Sequence, residues 1–93
     1  MKPIFEGGAT RNEEKPRYDL IPLAALKKLA QRFGVGAKSH GEKNYQKGGS
    51  KFVRDTKNHL AEHLFKYLEG DKSDEHLAAI MCNAAILIWF ESK

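Results

Sequence analysis

The chain has 93 residues, of which 41% are apolar and 30% are charged. This composition is typical of an ordered soluble protein, and the length excludes two separate cores. Cys82 is the only cysteine, which excludes disulfides. So small a core therefore needs a metal, dense helix packing or a second copy of the chain. The formal charge of +4 favours an anionic partner, and because no four basic residues are consecutive, a nucleic-acid polymer is the weaker option.

The same features predict where the protein works. A single cysteine fits a reducing compartment. Residues 1–9 contain no apolar segment of the kind found in secretory signals. The longest apolar stretch, 77–90, is shorter than the roughly 20 residues of a membrane span. We therefore expect a cytoplasmic protein without a membrane partner.

The N-terminal part of the chain, residues 1–18, is polar and shows no hydrophobic period. It is predicted to be an extended arm, followed by a single all-α domain over 19–93. The first helix of that domain is expected to begin at Pro22, because the fixed φ of proline suits the first helical position. Gly34 and Gly36 are expected to break or kink it. Its apolar residues recur at spacings of three and four, at Leu23, Leu26, Ala30 and Phe33.

A glycine- and lysine-rich loop is predicted to follow. Residues 34–50 hold five of the eight glycines and the lysines Lys38, Lys43 and Lys47. We expect a structured loop with a short helical turn near 36–40. Glycine lets the backbone approach a ligand closely, and lysine supplies positive charge. Tyr45 lies in this loop, where it either stacks on a base or packs on the core.

The second helix is predicted to be capped at Ser50 and to end before Gly70. Its polar side carries His59, which is interpreted as a solvated residue, and His63 lies at the border between the polar and apolar sides. The apolar side consists of Val53, Leu60, Ala61, Leu64 and Leu68.

The third helix is predicted to be capped at Ser73, with Asp74 and Glu75 in its first turn, where negative charge is favourable. Thirteen of the fourteen residues from 77 to 90 are apolar, and the exception is Asn83. A helix that is apolar all round must be covered all round. Two short helices cannot do this, so we expect a homo-oligomer assembled through helix 74–91.

The polar residues near this helix suggest a ligand site. His76 and Asn83 are seven residues apart and share a helical face. One interpretation is that Asn83, His76 and His63 line a ligand cleft. The other is that Asn83 bonds a backbone carbonyl or its own symmetry copy and thereby fixes the register of the helices. Acidic residues cluster at 69–75, but the helices carry no paired carboxylates at E-x-x-E or E-x-x-D spacing, so metal catalysis has little support from spacing.

Four stretches of the chain together resemble a known family. They are KPRYDLIPLAAL (15–26), GAKSHGEKNYQKG (36–48), EHLFKYLEGD (62–71) and HLAAIMCNAAIL (76–87). The family is the phage-rich dATP/dGTP diphosphohydrolase N-terminal domain, and the resemblance covers residues 15–88. The chain departs from the family pattern at Glu62, where the pattern has arginine, and at Ala79, where it has histidine.

The resemblance implies a compact all-α fold similar to that of MazG-like nucleotide pyrophosphohydrolases. Those proteins are oligomers that use Mg²⁺ to cleave nucleoside triphosphates to monophosphates and pyrophosphate. A phage-encoded member would work in the cytoplasm of the bacterial host. The residues that match the family motifs are Lys15, Arg17, Tyr18, Asp19, Gly36, Lys38, Gly41, Asn44, Tyr45, Gly48, His63, His76 and Asn83.

Two functional hypotheses follow. The first is a Mg²⁺-dependent hydrolase of purine deoxynucleoside triphosphates, with catalytic Glu62, His63, Glu75 and His76, and metal ligands Glu62, Asp74 and Glu75. The second is a non-catalytic binding protein that sequesters a nucleotide-derived host immune signal, such as a cyclic oligonucleotide. A plain protein-interaction module is a third option. In the first two, the predicted ligand-binding residues are Arg17, Tyr18, Lys38, Lys43, Asn44, Tyr45 and Asn83.

Overall fold

A computed structural model describes residues 6–10 and 15–93 of the chain. Apart from an isolated bridge residue at Thr10, this part of the chain is helical and contains no strand. The predicted all-α class with three main helices is confirmed. The predicted arm falls partly on residues 1–5 and 11–14, which lie outside the described residues. The helices are α1 (Leu23–His40), α2 (Ser50–Leu68) and α3 (His76–Glu91), with short 3₁₀ turns at Glu6–Gly8, Tyr18–Leu20 and Asn44–Lys47.

Helix α1 differs from its prediction at both ends. Pro22 precedes the first helical residue, because its ψ of 130° is extended. The helix then continues through Gly34 and Gly36 to His40, so the predicted break is wrong. A helical glycine costs roughly 1 kcal/mol relative to alanine, and the packing of α1 against α3 offsets that cost. The chain leaves the helix at Gly41, whose φ of 94° favours glycine.

Helix α2 ends where the sequence predicts. Gly70 adopts a φ of 81° just after the last turn. Its N–H donates to the carbonyl of Tyr67, and the N–H of Asp71 donates to the carbonyl of Lys66, both at 3.0 Å. This pair of hydrogen bonds is the Schellman motif that closes many helices. At the other end, Gly49 rather than Ser50 is the capping residue, so the predicted cap is one residue too late.

Helix α3 begins later than predicted. Its N-cap is Glu75 and its first residue is His76, so Asp74 and Glu75 precede the helix instead of forming its first turn. The predicted cap, Ser73, is engaged elsewhere. Its backbone N–H and its hydroxyl both donate to Oδ1 of Asp71, at 2.8 and 2.5 Å. That carboxylate orders the turn between α2 and α3 and delays the start of the helix.

The core of the three-helix unit is small. Helix α3 packs against both α2 and α1, and its alanines Ala78 and Ala79 are the buried apolar residues of the described chain. Most of the remaining α3 side chains are only half-buried. The radius of gyration is 17.7 Å, whereas a compact globule of this length has about 12 Å. Large apolar side chains stay exposed on every helix, among them Leu23, Leu26, Leu64, Phe65, Leu68, Leu77 and Ile88.

Within the described ranges, no helix combines the length and the apolar character needed to cross a membrane.

Candidate functional site

A cavity of about 630 Å³ opens between the end of α1, the loop that follows it, and the facing sides of α2 and α3. Small-molecule sites typically have volumes of about 300–1,000 Å³ and combine apolar walls with a few polar groups. This cavity has both. Its apolar wall includes Phe33, Phe52 and Ile86, and its polar wall includes Arg32 and Asn83.

Tyr45 connects the loop to the core. Its ring centroid lies 5.9 Å from that of Phe33 and 5.6 Å from that of Trp89, the latter in an edge-to-face arrangement. Both interpretations of this residue made from the sequence are compatible with the structure, because Tyr45 packs on core aromatics and also lines the cavity. Gly48 lets the loop lie directly on α2, since a Cβ at this position would overlap the ring of Phe52.

The cationic group with the most defined geometry in the cavity is Arg32. Its two terminal nitrogens donate to the two carboxylate oxygens of Asp74, at 2.8 and 3.1 Å. Both residues line the cavity. The hydrogen bonds from Arg32 lower the pKa of Asp74 to about 2. A second ion pair, between Lys28 and Glu75, joins the same two parts of the chain, but it lies outside the cavity lining.

The structure brings some of the predicted ligand-binding residues together and leaves others apart. Lys43, Asn44, Tyr45 and Asn83 all line the cavity. Arg17, Tyr18 and Lys38 are exposed and do not line it. Arg17 instead forms a two-point ion pair with Asp19, with both nitrogen–oxygen distances at 2.8 Å.

His63 and His76 are in contact with each other. Their Nδ1 atoms lie 2.9 Å apart, and Nε2 of His76 lies 2.8 Å from Oδ1 of Asp71. The side chain of His76 is 2% exposed. Burial and the positive charge of Arg32 are the main causes that lower the pKa of His63, with a further contribution from His76, whereas Asp74 and Glu62 act in the opposite direction. Neither histidine lines the cavity, so the predicted common cleft of His63, His76 and Asn83 is not what the structure shows.

The carboxylates predicted to bind magnesium are each paired with a cation. Glu62 lies 3.1 Å from Lys66 along α2, Asp74 is held by Arg32, and Glu75 is held by Lys28. In the described part of the chain, no group of three histidine, cysteine or acidic side chains is arranged to hold a metal. Magnesium needs converging oxygen ligands. These residues as arranged do not fit a shared magnesium site.

Sequence reasoning missed several cavity residues. Arg32, Asp55 and His59 line the cavity, although the sequence pattern indicates only a solvated role for His59. The signal that could have found the last two is their i,i+4 spacing on α2, which places them on one face with Nε2 of His59 3.8 Å from Oδ2 of Asp55. Thr56 lies between them, buried, and its hydroxyl donates to the carbonyl of Phe52 at 2.8 Å. Arg32 carried no comparable signal.

Comparison with known protein families shows to which family the chain belongs. The sequence model of one family, described as dATP/dGTP diphosphohydrolase, N-terminal, matches residues 6–93. The chain belongs to this family. Comparisons with curated proteins and with solved structures found no match. The resemblance noted in the sequence is thereby confirmed.

In this member of the dATP/dGTP diphosphohydrolase N-terminal family, one motif supplies most of the loop side of the cavity. The stretch 36–48 forms the last turn of α1, the turn at Gly41 and the 3₁₀ turn Asn44–Lys47. Lys43 adopts a left-handed conformation with φ 56°, which turns the chain into that 3₁₀ turn. The stretches 62–71 and 76–87 contribute the histidine pair and Asn83. Of the four family stretches, 36–48 and 76–87 therefore meet at the cavity, whereas no residue of 15–26 or 62–71 lines it.

Proposed function

We propose that this chain binds a purine deoxynucleoside triphosphate in the cavity between α1, its following loop, α2 and α3. The observation that carries the proposal is the composition of the cavity wall, which combines aromatic rings with an arginine and a lysine in a space of about 630 Å³. Aromatic rings suit a base and cationic side chains suit phosphates. The family description names dATP and dGTP, and we extend that ligand class to this chain.

Each predicted cavity residue has a role in this proposal. Tyr45 contacts the base, Lys43 contacts the phosphates, and the amides of Asn44 and Asn83 supply hydrogen bonds to the base or sugar. Amide groups can donate and accept, so they suit the mixed edges of a purine. Arg17, Tyr18 and Lys38 keep a ligand-binding role only if a partner copy or the rest of the ligand reaches them.

The proposed reaction is hydrolysis of the triphosphate to a monophosphate and pyrophosphate. Of the predicted catalytic residues, His63 has the clearest chemistry, since its lowered pKa leaves the ring uncharged and able to accept a proton near neutral pH. Arg32 and Asp74 line the cavity and also influence the pKa of His63, so a ligand bound beside them would act on that pKa as well. His76 would hold the ring of His63 in position. The predicted roles of Glu62 and Glu75 belong to the Mg²⁺-dependent reaction and not to Mg²⁺-free binding in the cavity, which neither residue lines, and they stay predictions.

We also propose that a second copy of the chain covers helix α3. The buried apolar residues of the described chain are two alanines, whereas Leu77 and Ile88 of α3 are 53% and 64% exposed. Stable protein interfaces bury about 800 Å² on each partner. A copy that covers these side chains would supply the burial that one chain lacks.

The test is a panel of dNTPs, NTPs and cyclic dinucleotides, each with and without Mg²⁺. The melting temperature reports binding, and chromatography of the recovered ligand reports hydrolysis. A ligand at about 100 times its Kd adds ~2.7 kcal/mol to the free energy of unfolding. Conversion of dATP or dGTP to its monophosphate supports the hydrolase. Intact ligand recovered after tight binding would support sequestration instead, and no shift with any nucleotide would contradict nucleotide binding.

A further inference from the structure

The ion pair between Arg32 and Asp74 lies on the wall of the proposed nucleotide cavity. Arg32 comes from α1 and Asp74 from the turn before α3, 42 residues later. The side chain of Arg32 is 30% exposed and that of Asp74 is 40% exposed, so both remain accessible from the cavity. The contact is two-pronged, with both terminal nitrogens of the guanidinium engaged at 2.8 and 3.1 Å.

A guanidinium presents the same planar pair of donors to a carboxylate and to a phosphate. Asp74 therefore occupies the donors that a phosphate entering the cavity would use. Among the residues that line the cavity, Arg32 and Lys43 are the ones with permanent positive charge. A lysine offers a point charge, so Arg32 is the residue able to orient a phosphate.

We propose that Arg32 is the residue that orients the phosphate in the cavity, alongside Lys43, and that Asp74 is an internal competitor which the phosphate displaces. This inference rests on the proposed nucleotide binding and assigns one subsite within it. Asp74 competes with the ligand, so it lowers the affinity of the cavity for phosphate. It is not a residue that contacts the bound ligand.

Displacement leaves Asp74 with a partner. Its Oδ1 also accepts the backbone N–H of Glu75 at 2.7 Å, just before the first turn of α3. The positive end of the α3 dipole stabilises a carboxylate at this place. The carboxylate can therefore release the guanidinium and keep its helix-end hydrogen bond, which makes the exchange of partners feasible without unfolding the turn.

The neighbouring ion pair provides a matched control. Lys28 and Glu75 join the same helix to the same turn, but neither residue lines the cavity. Asp74→Asn and Glu75→Gln each remove one negative charge at adjacent positions. A general electrostatic effect on an anionic ligand would have the same direction in the two variants, whereas release of Arg32 occurs only in the first.

The experiment measures the Kd of pyrophosphate and of dATP by calorimetry, in the absence of Mg²⁺. We expect Arg32→Gln to weaken binding by about 10- to 100-fold, in line with the loss of charged hydrogen bonds. Arg32→Lys should fall between that variant and the wild type. Asp74→Asn should tighten binding by roughly 3- to 10-fold, since the competitor is removed, a gain within the range of a charged hydrogen bond. Glu75→Gln should leave the Kd within about twofold of the wild type.

Several results would overturn the inference while nucleotide binding stands. One is equal affinity of wild type and Arg32→Gln for pyrophosphate. Another is weaker binding by Asp74→Asn, which would make the ion pair a scaffold of the cavity and not a competitor. Deoxyadenosine, which lacks phosphate, should bind all variants alike. If wild type binds neither dATP nor pyrophosphate, the proposed function itself fails. Should Arg32→Gln not fold, the comparison of Asp74→Asn with Glu75→Gln decides the question.

Discussion

The Nδ1 atoms of His63 and His76 lie 2.9 Å apart, so one of them carries a proton and the other does not. Asp71 determines which. Hydrogen bonds from Ser73 and His76 hold the pKa of its carboxyl far below the ordinary range, so the carboxylate only accepts. Nε2 of His76 must therefore donate to it, and when that is the only proton on the His76 ring, its Nδ1 accepts from Nδ1–H of His63. Nε2 of His63 is left as the proton acceptor of the pair.

This arrangement predicts two different tautomers when both rings are neutral. Ring-nitrogen NMR of ¹⁵N-labelled protein should show His76 protonated at Nε2 and His63 protonated at Nδ1. Asp71→Asn should disturb the His76 pattern, because an amide can offer a donor in place of the acceptor. The same tautomer on both rings in the wild type would contradict the hydrogen-bonded chain from Asp71 to His63.

The lowered pKa of His63 predicts a pH-dependent stability. Below about pH 6.5 an unfolded histidine is charged, while His63 in the folded state stays neutral to lower pH. The unfolded state therefore binds more protons, and the folded state loses stability as the pH falls below that value. One proton limits the slope to about 1.4 kcal/mol per pH unit.

Urea unfolding at about pH 7.5 and about pH 5.5 measures this effect. The groups acting on His63 are Arg32, Asp74, His76 and Glu62, and all of them are retained in His63→Gln. The variant should lose less stability than wild type between the two pH values. Equal losses in the two proteins would show that His63 does not titrate as described.

Substitution of Asn83 should weaken ligand binding without a comparable loss of folding stability. It is half-buried and lines the cavity, so Asn83→Leu should weaken nucleotide binding by roughly 5- to 30-fold through the loss of its hydrogen bonds. The free energy of unfolding should change by less than about 1 kcal/mol, since an apolar side chain suits α3. Asn58→Leu, an exposed change on α2 away from this cavity, is the control. Equal affinities of the two variants would argue against a ligand role for Asn83.

Two glycines should respond to alanine in opposite directions. Gly34 is inside α1, where a Cβ added to it would meet nothing within 4 Å, so Gly34→Ala should stabilise the protein by about 0.5–1 kcal/mol. At Gly48 a Cβ would overlap the ring of Phe52, so Gly48→Ala should destabilise it by about 1–3 kcal/mol. Denaturant unfolding of both variants provides the comparison. A stabilising Gly48→Ala would mean that the loop does not lie on Phe52.

The proposed second copy predicts a charge-sensitive assembly. Ile88 is 64% exposed on α3, and Ile88→Lys should weaken self-association by at least about tenfold, because burial of one such side chain is worth about 1.5–3 kcal/mol. Leu20→Lys, a similarly exposed position outside the three helices, is the control. Sedimentation velocity across a concentration series measures both. A wild-type protein that stays monomeric at all concentrations would contradict the assembly.

Local patterns determined the helices of this protein. Apolar spacing located α1, and Gly70 ended α2 because a left-handed residue closes a Schellman motif within about six residues of chain. Where the predicted helix boundaries were wrong, contacts with neighbouring groups had outweighed the local helix propensity. The hydroxyl of Ser73 donates to Asp71 instead of capping α3, and the helix begins later than predicted. Helix α1 packs on α3 and continues without a break through its two glycines.

The candidate site depended on contacts between distant residues. The cavity unites the loop residues Lys43, Asn44 and Tyr45 with Asn83, which sequence spacing alone could not bring together. No sequence pattern pointed to Arg32, because its role depends on its ion pair with Asp74, which lies 42 residues away in the chain. The helices and the family motifs could be read from the chain alone, since they depend on local periodicity and turn chemistry. The pairing of charged residues could not be predicted from the sequence, because ion pairs and cavity walls form only when the helices pack.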